Sequence, residues 1–153
     1  TKSKAFCSDS TEFGNPPNTQ VSPISLGHPG TLPRINEKQI QLAIELGLAL
    51  GCRINTINRF DRKNYFYADL PKGYQITQDA KPICIGGQLG AIRLHHIHME
   101  EDAGKSMHSD EGPFSVIDLN RAGVPLLEIV TEHDFRLADE VETFMVDMRR
   151  LMR

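Results

Sequence analysis

The chain has no apolar run near the roughly 18 residues that a membrane-spanning helix needs, and its opening TKSKAFCSDSTEFG contains no apolar segment of the signal-peptide kind. No membrane is therefore expected, and a cytoplasmic (bacterial) or organelle-matrix address follows. Cysteine is sparse: Cys7, Cys52 and Cys84 stand far apart with no CxxC pair, an odd set that suits reduced thiols and not a disulfide framework. Positive charge is not in excess either, since 17 Lys and Arg face 20 Asp and Glu for a net charge of -3. No global basic field announces a nucleic-acid binder, so any RNA contact must be local. Internal repeats and low-complexity segments are missing as well. The chain begins on Thr1 and not on Met, stops on DMRRLMR inside a helical pattern, and so reads as part of something longer. What remains, at 153 residues with 39% hydrophobic and 24% charged, is the composition of one globular domain able to bury a core.

Residues 14–33, GNPPNTQVSPISLGHPGTLP, hold five of the nine prolines and predict an ordered but irregular loop. Asn36 then suits the N-cap of EKQIQLAIELGLALG, where Ile40, Ala43, Ile44, Gly47, Leu48 and Gly51 recur at helical spacing and Leu42, Leu46 and Leu50 widen the apolar arc. RINTINRF (53–60) and KNYFYADL (63–70) have β-forming compositions. GYQITQDAKPICIGGQLGAIRLHHIHM offers two or three short strands, with Gly86-Gly87 suited to a hairpin turn. FSVIDLNR and VPLLEIVTE are further strand-like runs. LADEVETFMVDMRRLMR carries Val141, Phe144, Met145, Met148, Leu151 and Met152 on one face, acids in its first turn and arginines in its last, as the helix dipole prefers. Two helices with six or so hairpin-connected strands predict an α+β fold on a mostly antiparallel sheet.

HIHMEEDAGKSMH (96–108) packs three histidines, two glutamates, an aspartate and a lysine into thirteen residues. Read as a strand entering a loop, it puts His96, His98 and Glu100 on one face and Ile97, Met99 and Glu101 on the other. A site on one face cannot use them all. A hard cation such as Mg²⁺ takes one or two protein carboxylates and keeps waters or substrate phosphate, so one glutamate here with one from another strand would suffice. Zinc is poorly served by this mixture. A solvated acidic turn is the competing reading, and these residues alone leave both open. FDRKNYFYADLPKGYQI (60–76) sets Asp61, Arg62, Lys63 and Lys72 among Tyr65, Phe66, Tyr67 and Tyr74. Cations fixed among aromatics suit phosphate or nucleotide recognition, with a plain surface hairpin as the alternative. DLNRAGVPLLEIV (118–130) places Glu128 in an apolar strand whose neighbours Leu126, Leu127, Ile129 and Val130 should be buried. A carboxylate there must be paired, protonated or on a metal.

Taken in order, FDRKNYFYADLPKGYQI, HMEEDAGK followed by a His, and DLNRAGVPLLEIV resemble the B subunit of the tRNA-dependent amidotransferases. The opening TKSKAFCSDSTEFGNPPNT and LGHPGTLP extend the resemblance over essentially the whole chain. It implies a cradle domain related to glutamine synthetase and the guanidino kinases, which binds the acceptor end of mischarged Glu-tRNA or Asp-tRNA. ATP and Mg²⁺ are then the implied cofactors, used to phosphorylate the tRNA-bound side-chain carboxylate. Ammonia from glutamine, made by an amidase (A) subunit and led through a tunnel, displaces the phosphate, while a small (C) subunit clasps the other two. By motif, Glu101 and Glu128 resemble the metal-site glutamates, and Lys63 a lysine that gates the tunnel against Glu101. Lys72, Tyr65, Tyr74 and Lys105 resemble lining of the nucleotide or tRNA-end pocket. A non-catalytic docking module of the same complex is the alternative.

The chain departs from that pattern in three places. Some family members carry CxC and CxxC zinc motifs near the start, where this chain reads Cys7-Ser8-Asp9 and Ser22-Pro23-Ile24-Ser25, so no zinc is expected. The family's first strand, bearing a Glu and a His of the metal shell, and its downstream helical and tail domains lie outside residues 1–153; alone, this partial catalytic domain is expected to be a poor enzyme. His96 and His133 stand where arginine and proline are common.

Overall fold

The computed structural model describes all 153 residues. They form two helices, α1 (Glu37–Ala49) and α2 (Ala138–Leu151), and nine short strands: β1 (Arg53–Ile54), β2 (Asp61–Asn64), β3 (Tyr74–Thr77), β4 (Cys84–Ile85), β5 (Gln88–Leu89), β6 (Ile92–Glu101), β7 (Lys105–His108), β8 (Ser115–Asp118) and β9 (Pro125–Thr131). The pairs β1–β4, β2–β3, β4–β6, β5–β6 and β7–β8 are all antiparallel, so the fold is α+β. The chain divides into two compact units, one of Thr1–Gln39, Asp61–Thr77 and Glu100–Leu126, the other of Ile40–Phe60, Gln78–Met99 and Leu127–Arg153.

The second unit holds the apolar core. Ala43, Leu50, Ile83, Cys84, Leu94, Ile97, Met99 and Met148 are buried together, with Ile40, Ile44, Leu127, Ile129 and Phe144 packed against them. Each fully buried Ile, Leu or Met there contributes about 1.5–3 kcal/mol. The helical spacing of Ala43, Gly47 and Leu50 explains why α1 turns that face inward, whereas Leu42 and Leu48, which periodicity placed on the apolar arc, are exposed. The sheet orders β1-β4-β6-β5, with β9 also paired to β6. Gly86-Gly87 does not make the expected hairpin. It separates β4 from β5, which both pair with β6 through Ile85↔His96 and Leu89↔Ile92, and the tight turn falls at Gly90-Ala91 instead. Gly87 is needed because a Cβ there would lie 2.8 Å from the Leu50 carbonyl oxygen, on a φ of +99°. α2 starts as its sequence predicts: the Glu140 carboxylate accepts from the Arg136 and Leu137 N–H groups at 2.7 and 3.0 Å, and those donors hold it below its usual range.

The first unit is built differently. Its buried apolar residues are few, namely Ala5, Phe6, Leu70, Ile76 and Ala122, and they share the interior with Lys4, Gln20, Gln39, Thr77, Glu100 and Glu101. A buried polar group left unpaired costs about 1–3 kcal/mol, so this interior must be stitched by hydrogen bonds. Asn36 caps α1 as expected, its Oδ1 accepting from Lys38 N at 2.9 Å and Gln39 N at 3.3 Å, while its Nδ2 donates to Ser3 O at 2.9 Å. Gln39 Nε2 donates to the carbonyls of Glu100 and Leu126 at 2.9 and 3.0 Å. The proline-rich loop is irregular but tied down. Ser25 Oγ donates to Asp9 Oδ2 at 2.6 Å and accepts from Ser22 N at 2.9 Å, so one hydroxyl joins the 22–25 turn to the Asp9 carboxylate.

Candidate functional site

The polar interior of the first unit converges on Glu101. As the last residue of β6 it is 1% exposed, and its Oε1 accepts from the Lys72 ammonium and from Ile76 N, the latter at 3.0 Å. Its main-chain carbonyl accepts from Gln75 Nε2 at 2.7 Å. The β2–β3 hairpin supplies these partners through its register, Arg62↔Ile76, Lys63↔Gln75 and Asn64↔Tyr74. One face carries Arg62, Tyr74 and Ile76, and the Tyr74 ring lies 5.0 Å from the Arg62 guanidinium carbon and 5.7 Å from Lys72 Nζ. Lys72 thus sits between a carboxylate and an aromatic face.

A cavity of about 130 Å³ adjoins this pair, lined among others by Lys4, Ser25, His28, Lys72, Tyr74 and Glu101. Lys4 is wholly buried, and its ammonium donates to the carbonyl oxygens of Gln20 and Leu119 at 2.7 and 3.3 Å. Burial holds its pKa below the ordinary lysine value, opposed by the carboxylates of Asp9, Asp118 and Glu101. Nothing in the sequence pattern singles out Lys4, a lone lysine in the opening phrase with no local mark of burial.

The structure therefore brings together Glu101, Lys72 and Tyr74 of the expected residues. Lys63 is exposed on the opposite face of the hairpin, and the lysine against Glu101 is Lys72. Tyr65, just beyond β2, stacks on Tyr67 with ring centres 4.7 Å apart, beside an exposed Phe66. Lys105 opens β7 opposite Asp118 and is exposed.

Glu128 belongs to the second unit, on β9. Its neighbours Leu126, Leu127, Ile129 and Val130 are only half-buried and its own side chain is 54% exposed, which corrects the expectation of a carboxylate enclosed in an apolar strand. Water, more than a forced partner, solvates this group. Its Oε2 lies 3.8 Å from Nε2 of the buried His98. His98 heads a row of rings: its Nδ1 is 3.0 Å from His96 Nε2, and His96 Nδ1 is 2.6 Å from His95 Nδ1. Burial, with the neighbouring His98 and His95, pushes the His96 pKa down. On the two-residue period of β6, Glu100 follows His98 on the same face and Glu101 does not, a signal for Glu100 that the sequence already contains. The Glu100 carboxylate accepts from Thr77 Oγ1 at 3.2 Å.

Residues 1–153 match the model of the GatB/GatE catalytic domain. The chain belongs to that family. It is 52% identical over 160 residues to the B subunit of the aspartyl/glutamyl-tRNA(Asn/Gln) amidotransferase of Anaeromyxobacter sp. (strain Fw109-5), covering 99% of this chain and 33% of that protein. It is 51% identical to the corresponding B subunit of Clostridium kluyveri over 162 residues, and 49% identical to that of Thermodesulfovibrio yellowstonii over 161, in both cases across 100% of this chain and 34% of the relative. This GatB/GatE chain thus spans about a third of the length of the curated relatives it matches. No helix in it is long and apolar enough to cross a membrane.

Proposed function

We propose that this GatB/GatE catalytic domain activates the side-chain carboxylate of a mischarged Glu-tRNA(Gln) or Asp-tRNA(Asn) with ATP, as the amidating part of a cytoplasmic complex with an amidase (A) subunit and a small (C) subunit. The γ-phosphoryl group passes to that carboxylate and gives an acyl phosphate and ADP. Ammonia then attacks the acyl carbon, phosphate leaves, and the side-chain amide remains. Family membership along the whole chain supports the reading. The single structural observation that carries it is the buried Glu101–Lys72 pair, because a polar cluster enclosed beside a cavity is an arrangement that folding alone does not require.

A hard cation fits the donor set, which is oxygen and not sulfur. Glu101 commits only Oε1 to Lys72 and Ile76, and Glu128 is half in water. The second carboxylate oxygen of Glu101 and the water-exposed carboxylate of Glu128 are each open to Mg²⁺, which when bound would supply charge that stabilises the transferring phosphoryl group. The chain's own groups do the rest. Lys72 pairs with Glu101 and fixes it, and with Arg62 and Tyr74 offers the cation–aromatic wall against which phosphate or a base can rest. Tyr65 and Lys105 line the path of the tRNA end. Lys63, at the hairpin surface, is the lysine to meet ammonia arriving from the amidase.

The test uses the full-length protein assembled with its amidase and small partner subunits. Glu101→Ala is expected to abolish glutamyl-tRNA amidation while glutamine hydrolysis persists. Unchanged amidation and hydrolysis would overturn the role given to Glu101, and a wild-type complex whose amidation needs no ATP would overturn the reading itself.

A further inference from the structure

The second unit carries a row of three imidazoles on β6 to which the proposed function gives no task. His95 is exposed, His96 half-buried and His98 buried. Successive strand residues ordinarily point apart. Here His95 nevertheless turns a ring edge to His96, with centres 4.9 Å apart and planes at 72°. The tautomers follow from the far end of the row. His98 Nε2 faces the Glu128 carboxylate, which only accepts, at 3.8 Å, so that nitrogen carries the proton and His98 Nδ1 is left with a lone pair. His96 Nε2, 3.0 Å from that lone pair, must then be the N–H donor. A neutral imidazole has one proton to give, and His96 Nδ1 therefore keeps a lone pair aimed at His95 Nδ1, 2.6 Å away. Negative charge lies close by: the carboxylates of Glu128 and Asp79 both act on the His96 ring, and both favour a positive charge beside it.

Two ring nitrogens so placed make either one hydrogen bond or one chelate. Imidazole nitrogens bind Zn²⁺ at about 2.0–2.1 Å, and two of them on a tetrahedral or square ion lie roughly 2.9–3.4 Å apart. His95 is exposed and can swing, so the pair has to open by less than about 1 Å. His96 also has the outer partner that metal-bound histidines use, because its other ring nitrogen donates onward to His98, which in turn faces Glu128. Nitrogen donors suit Zn²⁺ or Cu²⁺ and serve Mg²⁺ poorly, since Mg²⁺ takes oxygen. We propose that His95 and His96 chelate a borderline divalent ion of the Zn²⁺ or Cu²⁺ class through their Nδ1 atoms, with solvent completing its coordination. The site is separate from the oxygen donors open to Mg²⁺, and no thiolate takes part in it. It stands whether or not the domain amidates tRNA.

The test titrates Zn²⁺ calorimetrically into metal-stripped full-length protein held in excess Mg²⁺, and adds Cu²⁺ to a parallel sample for electron paramagnetic resonance. His95→Ala changes an exposed side chain and His96→Gln keeps a donor toward His98, so both should fold. Each is expected to weaken Zn²⁺ at least about tenfold, the scale on which even an outer partner of a metal site matters. His133→Ala, an exposed histidine outside the row, should leave the affinity unchanged. The Cu²⁺ spectrum of wild type should show splitting from two nitrogens, and either row variant should lose that pattern. No Zn²⁺ binding, or equal binding by wild type and both row variants, would reduce the pair to a hydrogen bond and overturn the assignment. Zn²⁺ retained by His95→Ala but lost in Glu128→Gln would move the ion to the oxygen donors and overturn it as well.

Discussion

Lys72→Met tests the energetics of the site directly. The substitution keeps the aliphatic stem and removes the ammonium, leaving the Glu101 carboxylate with the Ile76 N–H as its side-chain donor in a position 1% exposed. Both side chains of the pair are nearly out of water, at 12% and 2%, so solvent screening gives little relief. Breaking one partner of such a pair costs roughly 3–5 kcal/mol, a large part of the ~5–15 kcal/mol that holds a typical domain folded. With a urea slope on the order of 2 kcal/mol per M, the unfolding midpoint should fall by roughly 2 M, followed by far-UV circular dichroism. Replacing both partners, Lys72→Met with Glu101→Leu, should recover most of the loss, because an apolar pair leaves no charge stranded. A midpoint for Lys72→Met within about 0.5 M of wild type, an order-of-magnitude bound from the same slope, would refute the argument, as would a double variant no better than the single one.

Two further outcomes follow from the same interior. Asn36→Ala removes the cap acceptor for Lys38 and Gln39 and the donor to Ser3, and should destabilise the protein by about 1–2 kcal/mol in urea titration, while the exposed Lys38→Ala should cost less than about 0.5. Lys4 gives a pH signature. Burial depresses its folded pKa below 10.5, so between the two values the unfolded chain binds more protons and stability rises with pH. The difference between wild type and Lys4→Met, read by unfolding from pH 7 to 11, should stay flat at the low end and move in favour of wild type as pH climbs toward 10.5; a falling difference would contradict the burial argument.

Much of this was legible in the chain itself. Both helices follow from their apolar periods, and the Asn36 cap from its side chain. The FDRKNYFYADLPKGYQI phrase led to the hairpin that meets Glu101. The misses have physical causes. RINTINRF has β-forming composition, yet only Arg53–Ile54 pair, because composition does not say which edge a strand will find. Lys105–His108 is polar at three of its four positions and pairs with β8 through its main chain, so no clear alternation announced it. Glu128 misled because apolar neighbours in sequence need not be buried when their strand is only half covered. That Lys72 and not Lys63 reaches Glu101 is set by hairpin register and by the turn after Leu70, which spacing along the chain does not encode.

The most direct test of the central claim is amidation of Glu-tRNA by the full-length protein assembled with the amidase and small subunits proposed for it, supplied with ATP, Mg²⁺ and glutamine, comparing wild type with Glu128→Gln. Glu128 is exposed and contributes little to folding, so the variant should assemble and hydrolyse glutamine normally. Loss of amidation in that intact complex is the predicted result. Amidation at the wild-type rate would contradict the account.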